Sequence, residues 1–235
     1  MLTISPRDRL FILAGAGLSA ESGIPTFRGV GGLWRNYRIE EVASPEAWHR
    51  DPRLVWEFYS MRRRVASTAH PNPAHFALAK LENTLQDRLF VCTQNVDSLH
   101  EQAGSRNVVH MHGELFKSRC ETCSRAPFAD SNLYEPPAEV PRCQCGGQIR
   151  PHICWFGEVP FQLERIHEAL DACTLFVAIG TSGVVEPAAS FVAQVSGRAL
   201  TIFVGPEKPA NASSFMECYL GRAEHILPDL FALCR

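Results

Sequence analysis

The sequence predicts an α/β fold whose parallel sheet is covered by helices on both faces. Four short apolar runs lack the alternation of half-exposed strands, which is typical of strands that are buried on both sides. Helical stretches separate these runs, and strand alternating with helix favours a parallel sheet. The predicted strands are residues 10–14, 89–93, 175–180 and 200–205, and the predicted helices are 73–85, 161–172 and 186–196.

Two regions interrupt this alternation, and both are predicted to be insertions between sheet elements. Residues 30–70 are predicted to be helical and contain several aromatic side chains, whereas residues 120–150 contain four cysteines and many prolines. We therefore expect residues 1–235 to form one domain. Its sheet portion would comprise residues 1–29, 71–119 and 151–235, approximately.

Composition excludes several classes of protein. Of the 235 residues, 46% are hydrophobic, and 23 basic residues face 25 acidic ones for a formal net charge of -2. A protein that binds polyanions directly would normally carry a basic excess. No apolar run approaches the ~20 residues of a membrane span, and the first residues lack a signal-peptide pattern. We expect a cytoplasmic globular protein with no membrane partner and no direct nucleic-acid binding.

A glycine-rich loop follows the first predicted strand. Gly15, Gly17 and Ala20 form the pattern G-x-G-x-x-A, in which the first glycine permits a tight turn and the second lets a pyrophosphate approach. Gly23 and Pro25 should stop the next helix within about two turns. In a dehydrogenase a strand ending in an acidic residue lies ~20 positions on, but the sequence here, Trp-Arg-Asn-Tyr-Arg, is not predicted to be a strand. The loop indicates a dinucleotide site without the usual hydride-transfer layout.

The clustered cysteines indicate a metal site. Cys120 and Cys123 are followed, after nineteen residues, by Cys143 and Cys145. Four thiolates suit a closed tetrahedral zinc site, which would be structural because no coordination position stays open. The second pair is one residue shorter than the common spacing, and Cys154 in place of Cys145 would give another pairing. Free or disulfide-bonded cysteines are the alternative, although the odd total of nine argues against a complete disulfide framework.

Polar residues follow two of the predicted strands. Gln94, Asn95 and Asp97 come directly after residues 89–93, and a Gly-Thr-Ser-Gly loop begins at Gly180. The carboxyl ends of parallel strands meet at one edge of a sheet, where ligands bind. These loops and the glycine-rich loop should therefore surround one cleft.

Two histidines precede Gly113, which would allow close approach of a ligand. His110 and His112 alternate on a predicted strand and should point the same way. Either could act as a general base, because the pKa of histidine is well matched to neutral pH. The alternative for each is an ordinary core or surface histidine.

Together these motifs resemble the sirtuin family of NAD-dependent protein deacylases. The resemblance covers about residues 10–227 and includes the loop 15–29, Thr-Gln-Asn-Val-Asp at 93–97, His-Gly at 112–113, the four cysteines, Trp-Phe-Gly-Glu at 155–158 and Gly-Thr-Ser at 180–182. It implies a Rossmann-like domain with a small zinc-binding and helical module, which fits the two insertions.

The resemblance also implies a site for NAD, with His112 as the general base. The residues implied to bind NAD are Gly15, Ala16, Gly17, Ser19, Ala20, Glu21, Thr26, Phe27, Arg28, Trp34, Gln94, Asn95, Asp97, Gly180, Thr181, Ser182, Gly205, Glu207 and Ala223. One departure is Gly205, where the family usually has an asparagine on the adenosine ribose.

The family's mechanism implies group transfer from an acylated lysine of a protein substrate to ADP-ribose, so NAD is consumed and nicotinamide is released. Trp155, Phe156, Gly157, Glu158 and Val159 resemble the strand that pairs with the substrate peptide. A protein ADP-ribosyltransferase using the same NAD site is one alternative. A non-catalytic zinc module that binds protein or nucleic acid is another, which the near-neutral charge and the intact His112 disfavour.

The helical insertion carries a further resemblance. Tyr59 and Arg62 lie three residues apart and should share one helix face, where a guanidinium and a phenol can grip a carboxylate. In isolation they could equally be a packed tyrosine and a solvated basic run. The pair and Ala20 resemble the sirtuin subgroup that removes acidic acyl groups. We therefore predict a preference for succinyl- or malonyl-lysine over acetyl-lysine.

Overall fold

The computed structural model describes residues 2–26, 33–34, 37–136 and 138–233. The strands are β1 Leu2–Ile4, β2 Leu10–Ala14, β3 Leu33–Trp34, β4 Tyr37–Arg38, β5 Leu89–Thr93, β6 Val108–His110, β7 Gly113–Cys120, β8 Phe128–Ala129, β9 Ile149–Ile153, β10 Leu175–Ile179, β11 Leu200–Gly205, β12 Glu217–Leu220 and β13 Phe231–Leu233. The helices are α1 Ala16–Ser19, α2 Ile39–Val42, α3 Pro45–Arg50, α4 Pro52–Ser67, α5 Pro73–Leu85, α6 Leu99–Gln102, α7 Leu163–Ala172, α8 Phe191–Val195 and α9 Ala223–Leu230.

The main sheet has six strands in the order β12-β11-β10-β2-β5-β6, and every pair is parallel. Ala14 at the end of β2 is paired with Thr93 of β5 on one side and with Ile179 of β10 on the other. Because these strands end level with one another, the loops that follow them emerge side by side. The predicted parallel sheet is confirmed.

Both faces of the sheet are buried. Leu10 and Ile12 of β2 pack in a core with residues of α5 and α9, whereas Phe11 and Leu13 pack in a second core with residues of α7 and α8. Successive side chains of a strand point to opposite faces, so helices must lie on both sides. This explains why the strands read as continuous apolar runs.

The predicted element bounds are close to those observed. Three of the four predicted strands and the helix Pro73–Leu85 match to the residue. Strand β10 stops one residue early because Gly180 has a φ of +61°. Helix α7 begins two residues late, after Gln162 at a φ of +59°. The helix predicted over 186–196 is a 3₁₀ turn, Ala188–Ser190, followed by α8.

The helix after the glycine-rich loop is as short as predicted. It comprises α1 and one 3₁₀ turn, and it ends at Gly23, which has a φ of +84°. One expectation was wrong: the segment around Trp34 does form strands. Strands β3 and β4 pair with each other and take no part in the main sheet.

The two insertions share a third core. Trp48 and Trp56 of the helical insertion pack with Leu115 of β7, Ile149 of β9 and the buried Cys120. The antiparallel sheet β8-β7-β9 carries the cysteine-rich segment on this module. The fold class is therefore confirmed, a parallel α/β sheet plus one smaller module formed by insertions, whereas the exact division of the chain stays a prediction. Among the described residues, no helix has the length and apolar character that crossing a bilayer requires.

Candidate active site

The glycine-rich loop is held against the loop that follows β10. The backbone N–H of Gly17 donates to the carbonyl oxygen of Gly180 at 2.9 Å, and the N–H of Gly15 donates to Ile179 at 2.8 Å. A Cβ atom on Gly17 would lie 2.8 Å from the Cα of Gly180. A Cβ on Gly15, whose backbone is extended, would lie 2.8 Å from the oxygen of Gly180.

These contacts correct the reason given for Gly15 and add a packing reason for Gly17. The backbone of Gly15 is extended and forms no tight turn, and this glycine is needed for close approach of the neighbouring loop. The amide of Gly17 donates to Gly180, and the approach of a pyrophosphate to this glycine stays a prediction. The two loops therefore form one rigid edge of the cleft.

The polar loop after β5 completes this edge. The side-chain amide of Asn95 donates to the carbonyl oxygen of Gly15 at 3.0 Å and to the hydroxyl of Ser19 at 3.1 Å. Asp97 is buried, and its carboxylate accepts the N–H of Leu99 at 3.1 Å. Burial raises the pKa of Asp97 despite this hydrogen bond. The predicted meeting of these loops is observed.

The two histidines have different surroundings. Strand β6 ends at His110, so His112 lies in the turn beyond the strand, contrary to the predicted alternation. The Nε2 of His110 lies 2.8 Å from Oε1 of Glu101, and its Nδ1 lies 3.1 Å from the carbonyl oxygen of Asn95. Burial lowers the pKa of His110, but the hydrogen bond and charge of Glu101 outweigh it, and the pKa is raised.

His112 is the more suitable base. Its Nδ1 lies 3.2 Å from the carbonyl oxygen of Gln94, which fixes the proton on Nδ1 and leaves Nε2 as the acceptor. Burial lowers the pKa of His112, with the hydrogen bond to Gln94 acting in the opposite direction. Both ring nitrogens of His110 are engaged, so the geometry favours His112.

The four clustered cysteines fit a zinc ion. Their sulfur atoms all lie within 4.8 Å of one another, with Cys120 and Cys145 at 3.5 Å and Cys123 and Cys143 at 3.8 Å. A tetrahedron with Zn–S bonds of about 2.3 Å has sulfur atoms about 3.8 Å apart. The alternative ligand Cys154 lies outside the cluster found in the described residues, with its sulfur 3.6 Å from the carbonyl oxygen of Glu158.

The backbone around Cys120 supports a thiolate at that residue. Amide N–H groups of Cys123 and Thr122, both 3.4 Å from Sγ of Cys120, lower the pKa of that thiol to about 6. Gly146 has a φ of +87°, and a Cβ on Gly147 would lie 2.4 Å from the hydroxyl oxygen of Thr122. The tight Cys-Gly-Gly turn allows the short spacing of the second pair.

Comparison with known proteins identifies the family. The sequence model of the Sir2 family matches residues 15–187. The chain belongs to the Sir2 (sirtuin) family. A relative from Vibrio cholerae named an NAD-dependent protein deacylase is 49% identical over 229 residues, covering 96% of this chain and 92% of that protein.

Solved sirtuin structures share the fold. A Sir2 homologue in complex with NAD is 40% identical, has a TM-score of 0.87 and covers 96% of this chain and 89% of that chain. A Sir2 protein with a deacetylated p53 peptide and 3′-O-acetyl-ADP-ribose is 29% identical, has a TM-score of 0.81 and covers 93% of this chain and 90% of that chain. The predicted family and enzyme class, an NAD-dependent protein deacylase, are confirmed. The acyl group removed and the individual residue roles stay predictions.

The structure describes only some of the remaining residues that are predicted to bind NAD. Glu21 forms a 3.1 Å ion pair with Arg222, which stands directly before the buried Ala223 at the start of α9. This contact brings the glycine-rich loop next to Ala223, the last residue of the predicted NAD set. Phe27 and Arg28 lie outside the described residues, as does the side chain of Trp34. Ala16, Ala20 and Thr26 are half-buried on the same loop.

The departure at Gly205 has a packing reason. A Cβ on Gly205 would lie 2.6 Å from the ring of Phe203, so an asparagine there would collide unless that ring moved. The next predicted residue, Glu207, is exposed. In the loop after the adjacent strand β10, Thr181 is buried, and the carbonyl oxygen of Ser182 accepts the N–H of Ala210 at 2.9 Å.

Tyr59 and Arg62 share one face of α4, as predicted. Tyr59 is buried, and its hydroxyl oxygen accepts a hydrogen bond from Nε1 of Trp155 at 3.0 Å. Arg62 is half-buried, is hydrogen-bonded to Tyr59 and lies within electrostatic reach of Asp97. Burial raises the pKa of Tyr59 and lowers that of Arg62. The pair therefore lies between Asp97, which is predicted to bind NAD, and Trp155.

The segment predicted to be a strand, Trp155 to Val159, is a turn. The N–H of Glu158 donates to the carbonyl oxygen of Trp155 at 3.0 Å, around Gly157 at a φ of +89°. The carboxylate of Glu158 is held by Arg150 at 2.7 Å, which draws the chain into the turn. Phe156 and Val159 are exposed at the surface, 54% and 75% respectively, and are available to a peptide.

Two buried polar residues close to the site were missed from the sequence. The side-chain amide of Asn72 donates to the carbonyl oxygen of Leu18 at 2.8 Å and to the hydroxyl of Ser22 at 3.1 Å. These hydrogen bonds connect the glycine-rich loop to the start of helix α5. The Asn-Pro start of helix α5 was the available signal. Arg63, beside Arg62, is 1% exposed and lies inside the module. Nothing in the Arg-Arg-Arg run distinguishes it.

Proposed function

We propose that this sirtuin removes acidic acyl groups, succinyl and malonyl, from lysine side chains in preference to acetyl. The observation that carries the proposal is the arrangement of the Tyr59 hydroxyl. It accepts a hydrogen bond from Nε1 of Trp155 at 3.0 Å and interacts with the guanidinium of Arg62, and its own proton can be donated to a further acceptor. A carboxylate at this point would receive that proton together with the guanidinium of Arg62.

The position of the pair supports this role. Arg62 interacts electrostatically with Asp97 of the predicted NAD loop, and Tyr59 is bonded to Trp155 of the predicted peptide segment. An acyl chain that reaches from a bound peptide toward the ribose would therefore pass this face of α4. A neutral acetyl group would form no charge-assisted hydrogen bond with Arg62. Charge-assisted hydrogen bonds contribute about 1.5–3 kcal/mol, which corresponds to roughly one to two orders of magnitude in kcat/KM.

The proposed reaction transfers the acyl group to ADP-ribose. The carbonyl oxygen of the acyl-lysine attacks the ribose C1′ of NAD, and nicotinamide leaves with the electrons of the broken bond. His112 then accepts a proton from a ribose hydroxyl through Nε2, and the hydroxyl oxygen attacks the acyl carbon. Addition of water and loss of the lysine amine give free lysine and O-acyl-ADP-ribose. The loops around Gly17, Asn95 and Gly180 would bind NAD and exclude bulk water from the reactive ribose.

The zinc ion is proposed to be structural. Cys120, Cys123, Cys143 and Cys145 provide all four ligands, so a bound zinc supplies a crosslink within the module and no open coordination position. The near-balanced charge of the chain supports protein substrates rather than direct contact with nucleic acid. A cytoplasmic location stays a prediction.

Mass spectrometry of matched peptides tests the proposal. One lysine peptide carrying a succinyl, malonyl or acetyl group is incubated with the enzyme, with and without NAD. We expect NAD-dependent loss of all three groups, fastest for the acidic ones, with equal amounts of nicotinamide and O-acyl-ADP-ribose. Acetyl-lysine consumed faster than succinyl-lysine would contradict the preference. Stable ADP-ribose on the protein substrate, without deacylation, would instead indicate an ADP-ribosyltransferase.

A further inference from the structure

Helix α4 carries a buried charge directly beside Arg62. The Arg63 side chain donates to the carbonyl oxygens of Leu115 at 2.9 Å and Asn132 at 2.6 Å, and to the hydroxyl of Ser118 at 3.1 Å. Its charge is balanced by Asp130, 3.3 Å away and equally buried. We call Arg63, Ser118, Asp130 and these two carbonyl groups the Arg63 network.

All partners of Arg63 in this network come from outside the helical insertion. Leu115 and Ser118 belong to β7, and Asp130 and Asn132 follow β8. The network is also closed internally, because the hydroxyl of Ser118 donates to the carboxylate of Asp130 and the N–H of Asn132 donates to Asp130 at 3.1 Å. Ser118 stands two residues before Cys120, so the network joins α4 to the strand that enters the cysteine cluster.

Two further hydrogen bonds join α4 to residues of the other insertion. Nε1 of Trp56 donates to the carbonyl oxygen of Ile149 at 2.9 Å, and the hydroxyl of Ser60 accepts the N–H of Tyr134 at 2.8 Å. Trp56, Ser60 and Arg63 are spaced four and three residues apart and therefore form one stripe along α4. The helix is thus fastened along this stripe to the antiparallel sheet and the residues that follow it.

The acyl-binding pair lies on the adjoining stripe. Tyr59 directly precedes Ser60, and Arg62 directly precedes Arg63. Rotation of α4 about its axis would move the guanidinium of Arg62 relative to the bound acyl carboxylate. Two-pronged recognition of a carboxylate requires its donors to be held within about 0.5 Å of the productive geometry.

We propose that Arg63, through Asp130 and Ser118, is a positioning residue for recognition of acidic acyl groups. It fixes the rotation of α4 and hence the Tyr59–Arg62 pair. This inference rests on the proposed preference for acidic acyl groups. The acetyl group has no carboxylate to accept hydrogen bonds from Tyr59 and Arg62. Weakening the network should therefore lower kcat/KM for the succinyl peptide more than kcat/KM for the acetyl peptide.

The test compares succinyl and acetyl peptides in variants of the full chain. Asp130→Asn keeps the shape of the side chain and removes its charge, and Ser118→Ala removes one hydroxyl. We expect Asp130→Asn to lower the succinyl-to-acetyl ratio of kcat/KM about tenfold, the loss expected for one charge-assisted hydrogen bond. The loss should appear mainly as a higher KM for the succinyl peptide. Ser118→Ala should change the ratio in the same direction by a smaller factor.

Arg64→Ala is the matched control. Arg64 is the next residue of α4 and pairs with Glu135 at 2.7 Å, but its side chain is 61% exposed. This variant loses an arginine from the same helix and should keep the wild-type ratio. Thermal melting and circular dichroism establish that each variant is folded.

The outcomes separate this inference from the proposed function. A folded Asp130→Asn enzyme with an unchanged ratio, or with equal losses on both peptides, would overturn the positioning role. Should Asp130→Asn fail to fold, an unchanged ratio in Ser118→Ala would overturn it. A wild-type enzyme without preference for the succinyl peptide would instead contradict the proposed function.

Discussion

Nδ1 of His112 lies 3.2 Å from the carbonyl oxygen of Gln94. A carbonyl oxygen only accepts hydrogen bonds, so the ring must carry its proton on Nδ1. Nε2 is then the nitrogen with a free lone pair, as a general base requires. The same carbonyl belongs to the loop after β5, which aligns the ring with the proposed NAD site.

His112→Ala should remove deacylation while the protein stays folded. Loss of a general base typically costs ~10²–10⁴-fold in rate. Since the histidine acts after nicotinamide leaves, exchange of labelled nicotinamide into NAD should persist. O-acyl-ADP-ribose formation measures the first effect, and His167→Ala, an exposed histidine on α7, is the control. Retention of more than about a tenth of the wild-type rate would transfer the base role to His110.

The pH profile should reflect the lowered pKa of His112. Burial moves this pKa below its ordinary value of 6.5. The neutral imidazole is the active form, so kcat/KM should increase with pH and pass its half-maximal value below pH 6.5. Initial rates from about pH 5 to 8, with folding checked at each pH, measure the profile. An apparent pKa above 6.5 would assign the titration to another group, with His110 the first candidate because its pKa is raised.

Local patterns predicted the strands well because burial on both faces leaves a continuous apolar run. Residues 10–14 and 89–93 matched to the residue. The packing contact that requires a glycine at position 17 could not be predicted from a local pattern. Its limiting contact is with Gly180, a residue 163 positions away in the chain, and only the closed sheet brings them together.

The different surroundings of the three consecutive arginines in α4 could not be predicted from the sequence either. Arg62 is half-buried beside Tyr59, Arg63 is buried against Asp130, and Arg64 is exposed on Glu135. Helical periodicity separates their directions, but the acidic partners lie in the other insertion. The turn at Gly157 was missed for a related reason, since the ion pair between Glu158 and Arg150 fixes it.

Loss of one zinc ligand should reduce metal content and stability together. Cys120→Ser and Cys143→Ser each remove a thiolate from the cluster, and both cysteines are buried in the core shared by the two insertions. Structural zinc binding is coupled to folding, so the melting temperature and the zinc content should fall together. Metal analysis and thermal melting provide the measurements, and Cys218→Ser, outside the cluster, is the control. A zinc-free variant that melts normally would refute a structural site.

Arg62→Met should remove most of the desuccinylation, lowering its kcat/KM by roughly one to two orders of magnitude, and spare deacetylation. Methionine retains most of the apolar stem that packs beside Tyr59, but it cannot bind a carboxylate. The succinyl peptide loses a charge-assisted hydrogen bond of about 1.5–3 kcal/mol, whereas the acetyl peptide had none to lose. The kcat/KM values for both peptides measure the split, and Arg64→Met, which removes an exposed arginine two residues further on, is the matched control. Equal loss of both activities would mean that Arg62 supports the fold through its contacts with Tyr59 and Phe58 and does not recognise the acyl group.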